Sequence, residues 1–409
     1  MKKFLALLVS LMMVLTLLVS CGGGGGGEEA ADGGGGDDFK VALICLHDEN
    51  STYDLNFING FKEAMGELGL SEDQYMIKTG VPEGQECYDA AAELADAGCK
   101  LIFSDSFGHQ DYMLQAAQEF PDVQFVSCTG DKALVSGQEN YHNAFASIYE
   151  GRYLAGVAAG MKLNEIKEAG KLKGDVPKMG YVGAFTYAEV ISGYTSFYLG
   201  AKSVCPDVVM DVTFTGSWYD ETAEKEGANK LIQGGADLIS QHADSFGAPT
   251  ACETAGIPNV SYNGSTKDAG PNTYIISSKI NWAPYFKLAS EAVQKGEAFD
   301  ENNNWTGTLE TDSVQLTELN TDVAAEGTQA KLDEVMAGLK DGSIHVFDTS
   351  TFTVEGKKLD SYKADVEADE AYEPDTEVIS DGYFHESEYR SAPYFNLAID
   401  GITRLDEKF

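Results

Sequence analysis

Positive charge is scarce in this 409-residue chain: 28 Lys and Arg stand against 66 Asp and Glu, a formal net charge of −38. With no basic surface to neutralise phosphates, nucleic acid and anionic lipid headgroups are poor candidates as partners, and highly phosphorylated ligands are disfavoured. Signature motifs are missing too. No Gly-x-Gly-x-x-Gly opens a helix after a strand-like run, and no Gly-x-x-x-x-Gly-Lys-Ser/Thr occurs, so dinucleotide and P-loop readings lack support. Gly-x-Ser-x-Gly and His-Glu-x-x-His are also absent, and no enzyme is expected. The 7 cysteines contain no Cys-x-x-Cys and no metal-like spacing. Cys45 and Cys128 sit inside apolar runs, so the cysteines beyond Cys21 are expected mostly as buried thiols, with no metal or cofactor.

What is present begins with an export pattern. Met1-Lys2-Lys3 and an apolar run from Phe4 to Val19 have the layout of a secretory signal over residues 1–20, and Leu18-Val19-Ser20-Cys21 resembles the bacterial lipobox, with Cys21 as the lipidated residue. Residues 22–38 are almost all Gly and acids, a composition with nothing to bury, and behave as a flexible tether reaching roughly 20–25 Å. Cys21 and this tether together span 21–38.

From residue 40 onward short apolar runs alternate with stretches of helical spacing. The runs are 41–46, 101–104 and 123–128, with helices at 54–68 and 108–119. A second series has strands at 179–184, 208–214, 237–243 and 259–263, with helices at 149–162, 189–204 and 219–233. This alternation predicts an α/β protein with parallel sheets covered by helices on both faces. In such sheets ligands gather beyond the carboxyl ends of the strands. The loops there are HDENSTYD (47–54), DSFGHQD (105–111), FTYAE (185–189), TGSWYD (215–220), HADSFG (242–247) and NGSTKD (263–268), all rich in aromatic and polar groups.

Several stretches in order resemble the basic membrane protein family of substrate-binding lipoproteins, which includes purine nucleoside receptors of ABC transporters. They include Thr52-Tyr53-Asp54 with Gly60, Phe120-Pro121-Asp122, Glu150-Gly151-Arg152-Tyr153-Leu154-Ala155-Gly156, Glu189-Val190-Ile191, Gln241-His242-Ala243-Asp244-Ser245 and Ser391-Ala392-Pro393-Tyr394-Phe395. The resemblance implies a type I periplasmic-binding-protein fold: two Rossmann-like lobes joined by three hinge crossovers and closing on a ligand. The lobes are expected at 39–145 plus 279–305 and at 146–278 plus 306–409, with crossovers near 145, near 278 and at 305–315. It also implies an extracytoplasmic monomer, lipid-anchored at the cell membrane, that delivers a purine nucleoside or base to an ABC permease. A ligand-sensing lobe for a membrane receptor or kinase is the alternative role, and another small neutral heterocycle or a sugar-like molecule the alternative ligand.

Tyr53 stands where the family places a ring that stacks on the base, and Phe107, Phe185, Trp218 and Trp282 are further aromatic candidates at strand ends. The resemblance carries over Asp54, Asp244, Asn263 and Lys279 as polar ligand contacts. Asn263 departs from the Asp that nucleoside receptors show, and Gln241–Asp244 with Asn281–Tyr285 look more like a branch binding free bases. Plainer roles compete. Each aromatic can be core, Asp54 can cap a helix, Lys279 can be a surface lysine, and His242 can be a hydrogen-bonded interior histidine. The acidic run Asp365–Asp375 reads as a solvated loop.

Overall fold

The computed structural model describes residues 39–367 and 373–406. The signal, Cys21 and the tether lie outside the described residues, as does the middle of the acidic run. Five strands open the fold: β1 (Val41–Ile44), β2 (Tyr75–Lys78), β3 (Leu101–Ser104), β4 (Gln124–Cys128) and β5 (Tyr141–Ala146). Five more follow: β6 (Lys178–Gly183), β7 (Val209–Phe214), β8 (Leu238–His242), β9 (Asn259–Tyr262) and β10 (Tyr274–Ile280). β1 and β3 are buried on both faces, the position that their unbroken apolar runs require.

The strands build two sheets, because β11 (Asn304–Gly307) returns to the first five and β12 (Val314–Leu316) to the second five. The first sheet has the order β11-β5-β4-β3-β1-β2 and is parallel throughout. The second has the order β12-β10-β9-β8-β6-β7, with only β12 antiparallel to its neighbour. Both repeat the doubly wound order 2-1-3-4-5, whose reversal point is where such sheets bind ligands. The chain passes between sheets at 146–148, 280–283 and 307–314. Backbone hydrogen bonds tie these passages side by side, Ser147 N–H to Gly307 C=O at 2.7 Å and Asn281 N–H to Ser313 C=O at 2.8 Å.

The helices are α1 (Thr52–Glu67), α2 (Gln85–Asp96), α3 (Gln110–Glu119), α4 (Ala133–Ser136), α5 (Ile148–Glu168), α6 (Ala188–Val204), α7 (Glu221–Gln233), α8 (Gly247–Ala255), α9 (Ala283–Lys295) and α10 (Thr328–Lys340). The Ser51 hydroxyl caps α1 by accepting from the Asp54 amide, and the Asp220 carboxylate caps α7 through the Ala223 amide. Among the described residues no helix is long and apolar enough to cross a membrane. Cys45, Cys87, Cys99, Cys128, Cys205 and Cys252 are buried free thiols.

Apolar runs alone do not reveal β2, β5 and β10. β2 is a half-exposed edge strand, β5 reads Tyr-His-Asn-Ala-Phe-Ala, and Ser277-Ser278-Lys279 interrupts β10. Beyond α10 come the paired strands β13 (Lys363–Ala364) and β14 (Thr376–Glu377), then β15 (Ile379–Ser380) and β16 (Tyr383–Phe384). β17 (Ile402–Arg404) finally joins the outer edge of β7 in parallel. A small aromatic core, Phe347 stacked on Phe395 with Phe352 and Phe384 edge-on, consolidates this C-terminal segment.

Candidate functional site

The carboxyl ends of the two sheets face one another, and a cavity of about 350 Å³ lies between their reversal points. From the first sheet come Leu46, His47, Tyr53, Ser106, Phe107 and Thr129; from the second come Glu189, Trp218, His242, Asp244 and Tyr262. The two sides touch beyond the cavity. The Thr52 amide donates to the Asp244 carbonyl at 3.1 Å, the His47 and Tyr219 rings lie 5.5 Å apart, and Phe107 lies 5.8 Å from Tyr187.

The rings are held from behind. Tyr53 packs at 4.9 Å on Phe57 and its hydroxyl donates to the Asp105 carbonyl at 2.6 Å, so its face is fixed at the start of α1. Trp218 meets Phe185 edge-on at 5.0 Å, and Phe185 stacks on Tyr187, also at 5.0 Å. Phe185 thus backs Trp218 and does not itself line the cavity. His242 lies 4.2 Å from the Tyr262 ring and bonds through Nε2 to Glu189 at 3.4 Å.

Several buried polar atoms on the wall have no partner in the protein: the Thr129 and Tyr262 hydroxyls and His242 Nδ1. Buried polar groups are normally paired, so these point to a ligand or to water. Thr129 also holds φ at 77°, a strained setting for a β-branched residue that costs about 1–3 kcal/mol.

Acids dominate the field. Burial pushes the Asp244 carboxyl well above the ordinary range, and the charges of Asp54, Glu224 and Glu189 raise it further. Glu224, which accepts from the Ser245 amide at 3.2 Å beside it, is pushed up to about 7, chiefly by burial. Burial moves His242 the other way, below its usual value, because the charged imidazole is the form penalised. Behind the cavity the fully buried Arg152 guanidinium donates to the Tyr181 and Ser240 hydroxyls, both at 2.9 Å, and to the Ser261 carbonyl at 3.1 Å, joining β6, β8 and β9.

Of the residues singled out in the sequence, Tyr53, Phe107, Trp218 and Asp244 line one cavity, with Phe185 as backing. The other four, Asp54, Asn263, Lys279 and Trp282, neither line it nor back a lining ring. Asp54 lies buried beneath it at the third position of α1, accepting from the His47 amide at 2.7 Å and the Ser51 hydroxyl at 2.5 Å. Burial alone would raise that carboxyl, but the bonds from His47 and Ser51 outweigh it and hold it low. Its neighbour Asp105 is driven well up by burial and by the Asp54 charge.

Trp282 is a core residue, buried and stacked at 4.3 Å on Phe57 under α1. Lys279 lies on β10 opposite Gln315 of β12, away from the cavity wall. Asn263 is buried just past the end of β9 with φ at 64°, its side chain hydrogen-bonded to the Asp244 carboxyl. Leu46, His47, Ser106, Thr129, Glu189 and Tyr262 were not singled out. Each lies within a few residues of a strand's carboxyl end, which was the one available signal. His242, read as an interior histidine, is buried and also lines the cavity.

Residues 44–344 match the family described as PnrA-like ABC transporter substrate-binding proteins. A purine-binding protein of Brucella abortus is 33% identical over 303 residues, covering 73% of this chain and 82% of the relative. An ABC transporter protein of Haloferax volcanii named for glucose binding is 32% identical over 234 residues, 57% of this chain and 56% of that protein. Among solved structures, an ABC transporter solute-binding protein from Conexibacter woesei superposes with a TM-score of 0.61 at 22% identity, over 75% of this chain and 98% of its own. That likeness supports the fold.

Proposed function

The chain belongs to the family of PnrA-like ABC transporter substrate-binding proteins, and on that premise we propose that its ligand is a purine base or nucleoside, held between Tyr53, Phe107 and Trp218. Proteins of this kind work outside the cytoplasm, bind a small molecule and present it to an ABC permease. The observation that carries the purine reading is one cavity at both reversal points with ring faces from both sheets and unpartnered hydroxyls between them. Flat apolar faces suit the base, and the hydroxyls, His242 and Asp244 suit its hydrogen-bonding edge. The concentration of acids disfavours an anionic ligand. The purine-binding relative points the same way.

In this proposal the two sheets with their helices act as lobes, the three side-by-side passages are the hinge, and the contacts beyond the cavity belong to the closed state. Cys21 and the tether would hold a monomer at the outer face of the membrane. The relative named for glucose binding makes a sugar the second reading.

Titration calorimetry of the full chain with adenine, guanine, hypoxanthine, their ribonucleosides and glucose tests the choice. At least one purine compound is expected to bind in the micromolar range or tighter, and Tyr53→Ala and Trp218→Ala should each weaken it by about tenfold, since stacking on a base contributes roughly 1–3 kcal/mol. Binding of glucose alone would replace the purine reading with the sugar one.

A further inference from the structure

The family match ends at residue 344, and the segment beyond it is tied down at both sheets. Its base is on the second. There β17 lies beside β7, the Leu405 amide donates to the Val212 carbonyl at 2.8 Å, and Arg404 Nε donates to the Tyr194 hydroxyl of α6 at 2.8 Å. Part of the segment leaves this base. The Tyr149 hydroxyl of α5 donates to the Glu386 carbonyl at 3.2 Å, and the residues that follow run along β11, the edge strand of the first sheet. Thr306 Oγ1 donates to the Ser387 carbonyl at 3.4 Å, and Ser391 donates twice to Asn304, through its amide at 3.0 Å and its hydroxyl at 2.8 Å. Arg390 Nη1 lies 3.7 Å from Asp131, in the loop beyond β4. The chain then returns, and the Asp400 amide donates to the Thr353 carbonyl at 2.9 Å.

This excursion is shaped before it meets the first sheet. The buried Glu386 carboxyl accepts from the Phe395 amide at 2.9 Å and the Tyr394 amide at 3.2 Å, closing residues 386–395 into a loop. Arg390 donates through Nε to the Ala392 carbonyl at 3.1 Å and through Nη2 to the Pro393 carbonyl at 3.2 Å, which aims Nη1 at Asp131. A guanidinium fixed in this way loses little freedom on pairing. The side chains of Arg390 and Asp131 are only 10% and 14% exposed, so salt screens them less than an open surface pair. Asp131 stands beyond the carboxyl end of its strand, where the sheets face each other, and rotation about the three passages would carry it away from a segment rooted on the second sheet.

We propose that residues 386–395 form a strap that clips the first sheet to the second and holds the cleft shut, with Arg390 on Asp131 as the clasp that opens before the sheets part. The strap rests on the reading of the two sheets as closing lobes, and it adds to their three covalent passages a fourth, noncovalent tie built from residues outside the family match. Amide hydrogen exchange of the ligand-free full chain tests it at Thr52, whose amide donates across the cleft to the Asp244 carbonyl, with small-angle X-ray scattering as the measure of overall opening. Asp131→Asn is expected to speed exchange at Thr52 about fivefold and to raise the radius of gyration, while the amides of β6 and β8 keep their rates. Asp131→Glu, which retains the carboxylate, should restore slow exchange, and Ser391→Ala should speed it in the same direction as Asp131→Asn.

Tyr219→Ala, which removes a ring that meets His47 across the cleft, reports separately whether the cleft can open. Faster Thr52 exchange in Tyr219→Ala but not in Asp131→Asn or Ser391→Ala overturns the strap and leaves the closing lobes standing. Equal acceleration at Thr52 and in β6 and β8 marks a general loosening of the fold and overturns the strap as well. Unchanged exchange and scattering in all three variants removes both the strap and the lobes.

Discussion

Glu224 shows how one side chain couples the site to pH. It is buried against the loop that carries Asp244, and its carboxyl titrates at about 7 in place of 4.5. The folded state therefore holds the proton more tightly than the unfolded chain, so its contribution to stability is complete below pH 4.5 and disappears as pH rises through 7. Glutamine imitates the protonated form. Glu224→Gln is expected to unfold at a higher temperature than the wild type at pH 8, with the gap closing toward pH 4.5 and amounting at most to on the order of 3 kcal/mol. Parallel melting curves across that interval check it, and a gap independent of pH would refute the titration. The same scale shows where sequence reading stops. Tyr53 and Trp282 are both aromatics beside strand ends, yet one faces the cavity and the other fills the core on Phe57.

Among the elements, α5 and α6 set the geometry of the second sheet's side. They meet closely enough that a Cβ on Gly156 would come within 2.0 Å of the Phe197 carbonyl oxygen, and one on Gly200 within 2.0 Å of that of Tyr153. Both obstacles are backbone and cannot rotate away. Gly200→Ala should therefore destabilise by about 1–3 kcal/mol, the usual effect of overpacking. Gly66, near the exposed end of α1 with nothing within 4 Å, is the control: Gly66→Ala should be neutral or raise stability by up to about 1 kcal/mol. Denaturant melts of the two variants should move in different directions, and equal shifts would disprove the packing account. Because α6 begins at Glu189's first turn, the packing of α6 on α5 also positions a cavity residue. Gly193 of α6 plays a related part, since a Cβ there would fall 2.5 Å from His242 Nδ1. Such elements are legible in sequence when their runs are apolar, as for β1 and β3. β5 escaped because Tyr141, His142 and Asn143 break the pattern.

At the scale of the whole molecule, stability and ligand capture are one equilibrium. A ligand bound between the two sheets favours the folded, closed form by RT ln(1 + [L]/Kd), about 2.7 kcal/mol at a hundred times Kd. The melting temperature should therefore climb with the logarithm of ligand concentration and show no plateau at stoichiometry. The shift should vanish for the double variant Tyr53→Ala/Trp218→Ala, and its persistence there would place the ligand elsewhere.

The order of short apolar runs and helical stretches determined the α/β class, and the strand-end loops determined the neighbourhood of the site, because burial of a central parallel strand and its loop position are local properties. Which of those loop residues share a wall was decided only by tertiary structure. Thr129, Glu189 and Tyr262 come from elements far apart in the chain and converge because two sheets of the same winding face each other. Asp54, Lys279 and Trp282 sit near the same landmarks in sequence yet turn to a buried hydrogen-bond pairing with His47 and Ser51, a strand pairing and a core. Side-chain direction depends on what packs against each residue, and a single chain of letters does not specify that partner.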